Sequence, residues 1–139
     1  MPKMKGLGAW AEQQAQVLLE AQGFEIVAHN YHSRYGEIDL IAQQAERLVF
    51  VEVKARSQTA WGSAFDVVTR AKQHKIIKTA LCFVMQKPEF EQKFLRFDVI
   101  GFDFYYKFAK NVQYDFGKYT YDLQWIENAF TLDTDLINL

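Results

Sequence analysis

With 139 residues, half of them hydrophobic and 24% charged, the chain has the composition of a folded domain and not of a disordered or fibrous protein. Lys, Glu, Gln or Asp breaks every apolar run, and Met1-Pro2-Lys3-Met4-Lys5-Gly6 leads into Glu12-Gln13-Gln14, which argues against a membrane span or a secretory leader. The net charge of -1 gives no strong general attraction to polyanions, but residues 54–78 hold six Lys and Arg against Asp66 alone.

That local net of +5 can contact phosphates or form an ordinary solvated helix face. Cys82 has no partner for an internal disulfide and lies in an apolar helical pattern, so it reads as a buried core thiol. Together these features predict a cytoplasmic protein that does not enter the membrane.

In chain order, Ala11, Ala15, Leu18 and Leu19 predict a helix over 8–22, capped by Gly23. Residues 24–29 alternate like a strand, and 30–36 read as a polar loop. Two strands follow at 37–43 and 47–55, joined through Gln44-Ala45-Glu46 as a hairpin. Residues 56–65 read as a loop containing Gly62. A helix over about 67–86 comes next, with Ile76, Ile77, Ala80, Leu81 and Val84 as its apolar stripe and Pro88 beyond its end. Residues 94–101 form another strand, and at least one more is expected in the aromatic stretch after 102. Half of the 22 aromatic residues lie in 102–130, as ordinary core, a dimer face or a base-stacking surface. With no repeat or linker, residues 1–139 read as one domain of mixed α/β class.

Two of these strands contain charges that burial makes expensive. Glu52 and Lys54 interrupt Leu48-Val49-Phe50-Val51, and Asp39 interrupts Ile38-Leu40-Ile41. A turn centred on Ala45-Glu46 sets Asp39 opposite Glu52 and Glu37 opposite Lys54, on one face. Two carboxylates so placed either raise one another's pKa or recruit a hard divalent cation such as Mg²⁺ or Mn²⁺. The alternative is a metal-free cluster of Glu37–Lys54 and Asp39–Lys54 ion pairs. Glu12, at the edge of the first helix's apolar stripe, either points towards the hairpin or reaches solvent.

Asp39 followed by Glu52-Val53-Lys54 resembles the PD-(D/E)xK nuclease signature, with Ile38 in place of the proline. The longer strings Gly36-Glu37-Ile38-Asp39-Leu40-Ile41-Ala42, Phe50-Val51-Glu52-Val53-Lys54-Ala55-Arg56 and Arg96-Phe97-Asp98-Val99 resemble the YraN-like uncharacterised family. Its members are regarded as predicted nucleases related to archaeal Holliday-junction resolvases. Glu12 with Ala15, Asn30, Lys72 and Ile126-Glu127-Asn128-Ala129-Phe130 match as well, whereas 101–124 is longer and more aromatic than the family pattern.

The resemblance implies a restriction-endonuclease-like mixed sheet flanked by helices. It further implies a Mg²⁺- or Mn²⁺-dependent endonuclease acting on DNA, with branched or damaged DNA as the candidate substrates. Asp39, Glu52 and the Val53 carbonyl would hold the metal, with Glu12 reaching it directly or through water. Lys54 would orient the attacking water or stabilise charge on phosphorus. Arg56, Lys72 and Lys75 would contact the nucleic acid, and Asp98 would serve a structural hydrogen-bond role. A homodimer is expected because a junction requires two cuts. The competing reading is a nucleic-acid-binding module of the same fold without catalysis.

Overall fold

The computed structural model describes residues 6–57 and 68–132. The elements run α1 (Leu7–Ala21), β1 (Glu25–Ser33), β2 (Gly36–Gln44), β3 (Arg47–Arg56), α2 (Arg70–Gln86), β4 (Phe94–Phe104) and β5 (Tyr121–Phe130). Single 3₁₀ turns lie at Pro88–Phe90 and Phe116–Lys118. The five strands form one sheet in the order β1-β2-β3-β4-β5. All neighbours are antiparallel except β3 and β4, which are parallel and joined by the α2 crossover. A mixed sheet carrying helices is the α/β class read from the sequence, and it is consistent with a restriction-endonuclease-like fold.

The two helices take opposite faces of the sheet. Ala11, Ala15 and Leu19 of α1 pack on Leu40, Ala42, Val49 and Val51, and the two alanines let the helix lie close. Gly23 ends α1 at φ 89, where an added Cβ would meet Gln44 Nε2 at 2.9 Å. On the other face Ile76, Ile77, Ala80 and Phe83 of α2 pack on Leu48, Phe50, Phe97 and Val99. Phe83, 2% exposed, carries the part of the stripe expected of Leu81 and Val84, which are half-buried. Cys82 is also half-buried, not the fully buried thiol expected. The aromatic region adds core on the α1 side, where Trp10 meets Phe102, Phe104 and Tyr121 at 5.3–5.5 Å between ring centroids.

The loop expected at 30–36 is strand at five of its seven positions. Tyr31, His32 and Ser33 pair with Ile38, Glu37 and Gly36, leaving only Arg34 and Tyr35 as the turn. Polar residues misled the reading here because β1 is an edge strand with a largely solvated surface. Tyr31 is the inward residue and sets its ring edge-on to Phe83 at 5.1 Å. The start of the second helix at 67 and most of the expected loop at 56–65 fall outside the described residues. The strand expected at 94–101 runs on to Phe104 because Ala55 and Arg56 still pair with Phe102 and Asp103. No helix among the described residues is long and apolar enough to cross a membrane.

Candidate metal centre

The β2–β3 hairpin has the register the turn dictates: Gln44 pairs with Arg47, Ala42 with Val49 and Leu40 with Val51. The pairing ends there, one step short of Asp39 and Glu52. Beyond it, Asp39 Oδ2 accepts the Val53 N–H at 2.7 Å, so a carboxylate stands where the ladder would have continued. In an extended strand the C=O of a residue points the same way as its N–H, so the Val53 carbonyl also faces β2.

The strands part because β1 and β2 lose their alternation together. Leu40 and Ile41 face the α1 and α2 cores in turn, yet Ile38 lies in the α2 core, out of step with Leu40. Opposite this break, between the pairs His29–Leu40 and Tyr31–Ile38, Asn30 sits in the left-handed region at φ 46, a conformation asparagine tolerates better than most residues. Asp39 consequently lies in the gap and lines two clefts of about 330 and 340 Å³, one beside α1 and one beside α2. Alternation alone places Asp39 on the face of Glu52; the structure brings the two together through the parted strands.

Four carboxylates converge on this gap. Glu12, Glu37 and Asp39 each place an oxygen within 4.8 Å of the others. The Asn30 side chain, with its amide nitrogen turned towards them, donates to Glu12 Oε1 at 2.9 Å and to Glu37 Oε1 at 2.8 Å. Glu52 approaches from the α2 side, 3% exposed. Burial, reinforced by its hydrogen bond to Asp39 and by the Asp39 charge, pushes the Glu52 carboxyl up to about 8 despite Lys54 and Lys72. Burial also raises Asp39, against the stabilising hydrogen bonds from Glu52 and the Val53 N–H. Burial raises Glu12 too, with the neighbouring charges of Glu37 and Glu52 adding to it. Burial beside Asp39 thus favours the protonated form of Glu52 far more than solvent would.

Glu52 Oε2 lies 3.1 Å from Lys72 Nζ and 3.8 Å from Lys54 Nζ. This buried oxygen is held by those two ion pairs and has no hydrogen bond of good geometry. Burial works to lower the Lys72 ammonium pKa, but the combined influence of Glu52, Lys54 and Asp39 leaves it raised. Lys72 thus points into the site itself, and Lys75 lines the same α2-side cleft. Arg56 lies at the end of β3, in register with Asp103 of β4. The Glu37–Lys54 and Asp39–Lys54 pairs left open by the sequence do not form among the described residues. Once the strands part, Glu37 turns to Asn30 and to His32, whose Nδ1 is 3.6 Å away.

Sequence reasoning left Asn30 and Glu37 out of the site. Asn30 sat inside a presumed loop, and its match to the family pattern gave it no role there. Asp98 takes the structural place expected of it. It is fully buried, accepts from Arg96 Nε and Nη2 at 2.9 Å each, and also accepts Trp125 Nε1 and the Asn128 N–H at 3.0 Å.

Residues 11–102, which span the gap and all four carboxylates, match the model of the uncharacterised protein family UPF0102. A UPF0102 protein of Acinetobacter baumannii strain AYE is 59% identical over 127 residues, covering 91% of this chain and 96% of that protein. The UPF0102 protein of Acinetobacter baylyi is 56% identical, covering 91% and 90%. That of Saccharophagus degradans is 41% identical, covering 96% and 99%. With the strings around Asp39 and Glu52 lying inside the matched region, the chain belongs to family UPF0102, as its YraN-like motifs led us to expect.

Proposed function

We propose that the protein is a Mg²⁺- or Mn²⁺-dependent endonuclease that hydrolyses phosphodiester bonds in DNA. The observation that carries this reading is the buried Glu52 carboxyl beside Asp39, flanked by Lys54 and Lys72, where two strands part around a group of carboxylates. The donor set fits the metal. It consists of carboxylate oxygens and a backbone carbonyl, the hard ligands that Mg²⁺ and Mn²⁺ prefer, with no thiolate and no histidine pair of zinc spacing. Asp39, Glu52 and the Val53 carbonyl would hold the cation, and Glu12 would reach it from the α1 side. A cation there supplies positive charge against the developing phosphoryl charge and lowers the pKa of water.

The chain's own residues supply the rest. Lys54, flanking Glu52, places an ammonium beside the scissile phosphate, where it orients the attacking water or offsets charge on the phosphoryl oxygens. Asn30 holds Glu12 and Glu37 against Asp39, keeping acceptors ready for the proton the water loses. Lys72 would leave Glu52 for a substrate phosphate once a cation takes its place as counter-charge, and Lys75 lies beside it.

The test has two stages. Calorimetric titration with Mn²⁺ should show binding to the native protein and none to Asp39→Asn. Incubation with duplex, nicked, flap and four-way-junction DNA should then show cleavage that needs the metal and disappears in Glu52→Ala. Cleavage that survives Glu52→Ala refutes the assignment. Salt-sensitive DNA binding indifferent to chelator, with no cleavage of any substrate, leaves the binding module in its place.

A further inference from the structure

Beside the acid group, the row of cations along the α2-side cleft continues past Lys72 and Lys75 to Lys78 and Arg34, which the sequence motifs do not account for. Lys72, Lys75 and Lys78 recur every three residues along α2 and share one side of the helix. The stripe ends against the β1–β2 turn. There Lys78 Nζ stands 5.3 Å from the centroid of the Tyr35 ring, and the Arg34 guanidinium stands 4.8 Å from the same centroid. Arg34 Nη2 also donates to Tyr35 Oη at 2.6 Å. Among the described residues no Asp or Glu forms an ion pair with Arg34, Lys75 or Lys78.

The turn is fastened to α2. The hydroxyls of Ser33 and fully buried Thr79 are 2.7 Å apart, and Ser33 Oγ accepts the Tyr35 N–H at 3.0 Å. Tyr35 itself lines the cleft that contains Asp39 and Glu52. One aromatic ring, fixed by a docked turn, therefore gathers two unpaired cations at the cleft mouth.

We propose that Arg34, Tyr35 and Lys78 form a phosphate clamp for the nucleic-acid backbone as it leaves the metal centre along α2. The inference rests on the nuclease reading and adds a direction to it. At about 1.5 Å rise per residue, Lys72 and Lys78 are about 9 Å apart along the helix axis. That separation spans only a few phosphates of one strand, so the clamp meets the backbone within a few nucleotides of the scissile bond. Arg34 and Lys78 each neutralise one phosphate; Tyr35 carries no charge and acts as a positioning residue for both.

The test measures binding of a fluorescent 30-base-pair duplex in EDTA across a range of salt concentrations. Arg34→Ala and Lys78→Ala should each reduce the slope of log K against log salt by about 0.9, the value of one phosphate contact. Tyr35→Ala should weaken binding without removing a charge, and Tyr35→Phe, which keeps the ring, should restore most of it. Mn²⁺ titration of each variant checks that the fold and the metal centre are intact. Unchanged slopes in Arg34→Ala and Lys78→Ala, with the native protein binding and cutting DNA, overturn the clamp and leave the nuclease reading standing. No salt-dependent binding by the native protein overturns both.

Discussion

Replacing Glu52 by Gln should make the metal-free protein more stable at alkaline pH. The native carboxyl titrates near 8, whereas the unfolded chain's titrates near 4.5. Between those values the folded state holds a proton that the unfolded state has released. Stability is therefore greatest at acid pH and falls as pH rises through this window. At about 1.4 kcal/mol per pH unit, a window of roughly 3.5 units corresponds to about 5 kcal/mol at most. Glu52 is 3% exposed, so solvent screens little of that effect. Gln fills the same space, never ionises, and its amide can still donate to Asp39. Thermal unfolding in EDTA should give similar Tm values for the two proteins at pH 5 and a clearly higher Tm for Glu52→Gln at pH 8. Adding Mn²⁺ at pH 8 should raise the native Tm and leave the variant's unchanged, since the cation binds only the folded, ionised site. Parallel Tm profiles for the two proteins from pH 5 to 8 in EDTA would refute the burial argument.

Three further outcomes follow from the geometry. Asp98→Asn takes away the carboxylate that holds the Arg96 guanidinium through two hydrogen bonds and leaves it only the exposed Glu127, 3.9 Å away, as counter-charge; urea unfolding should show a loss of about 3–5 kcal/mol with Mn²⁺ affinity unchanged. Phe83→Ala empties a site among Tyr31, Phe50 and Phe90 and should cost about 3–5 kcal/mol by the same measurement. Lys54→Ala should lower the DNA cleavage rate about 100- to 1,000-fold, as expected for removing one group aimed at developing charge, while calorimetry still detects Mn²⁺ binding.

Much of this was legible in the sequence because strong local signals agreed with the tertiary packing. Strand β3 is apolar and β-branched except at Glu52 and Lys54, and the short Ala45-Glu46 turn fixed the β2–β3 register. The unexpected charges in that hairpin marked the site. What could not be read was the departure from periodicity that builds it. Alternation assigns Asp39 one face, yet the paired break at Asn30 and Asp39 turns it into a gap reached from both faces. Glu37 was expected to meet Lys54 across a continuous ladder and instead meets Asn30, because the ladder stops at Leu40 and Val51. Tyr31 looked like a loop residue since its neighbours are polar, and its packing on Phe83 depends on a helix some fifty residues later in the chain.

Asp98 also governs an outer border of the sheet. Strand β5 is last in the order, and the register of β4 with β5 shifts at Phe97 and Val99, where Asn128 adopts φ 52 and gives its N–H to Asp98. A bulged final strand that carries Asp122 and Glu127 is a poor template for adding another chain, edge to edge. A side chain at 98 with no acceptor for the Asn128 N–H, such as Leu, would take away what holds that kink, so it would both weaken the fold and invite self-association through β5.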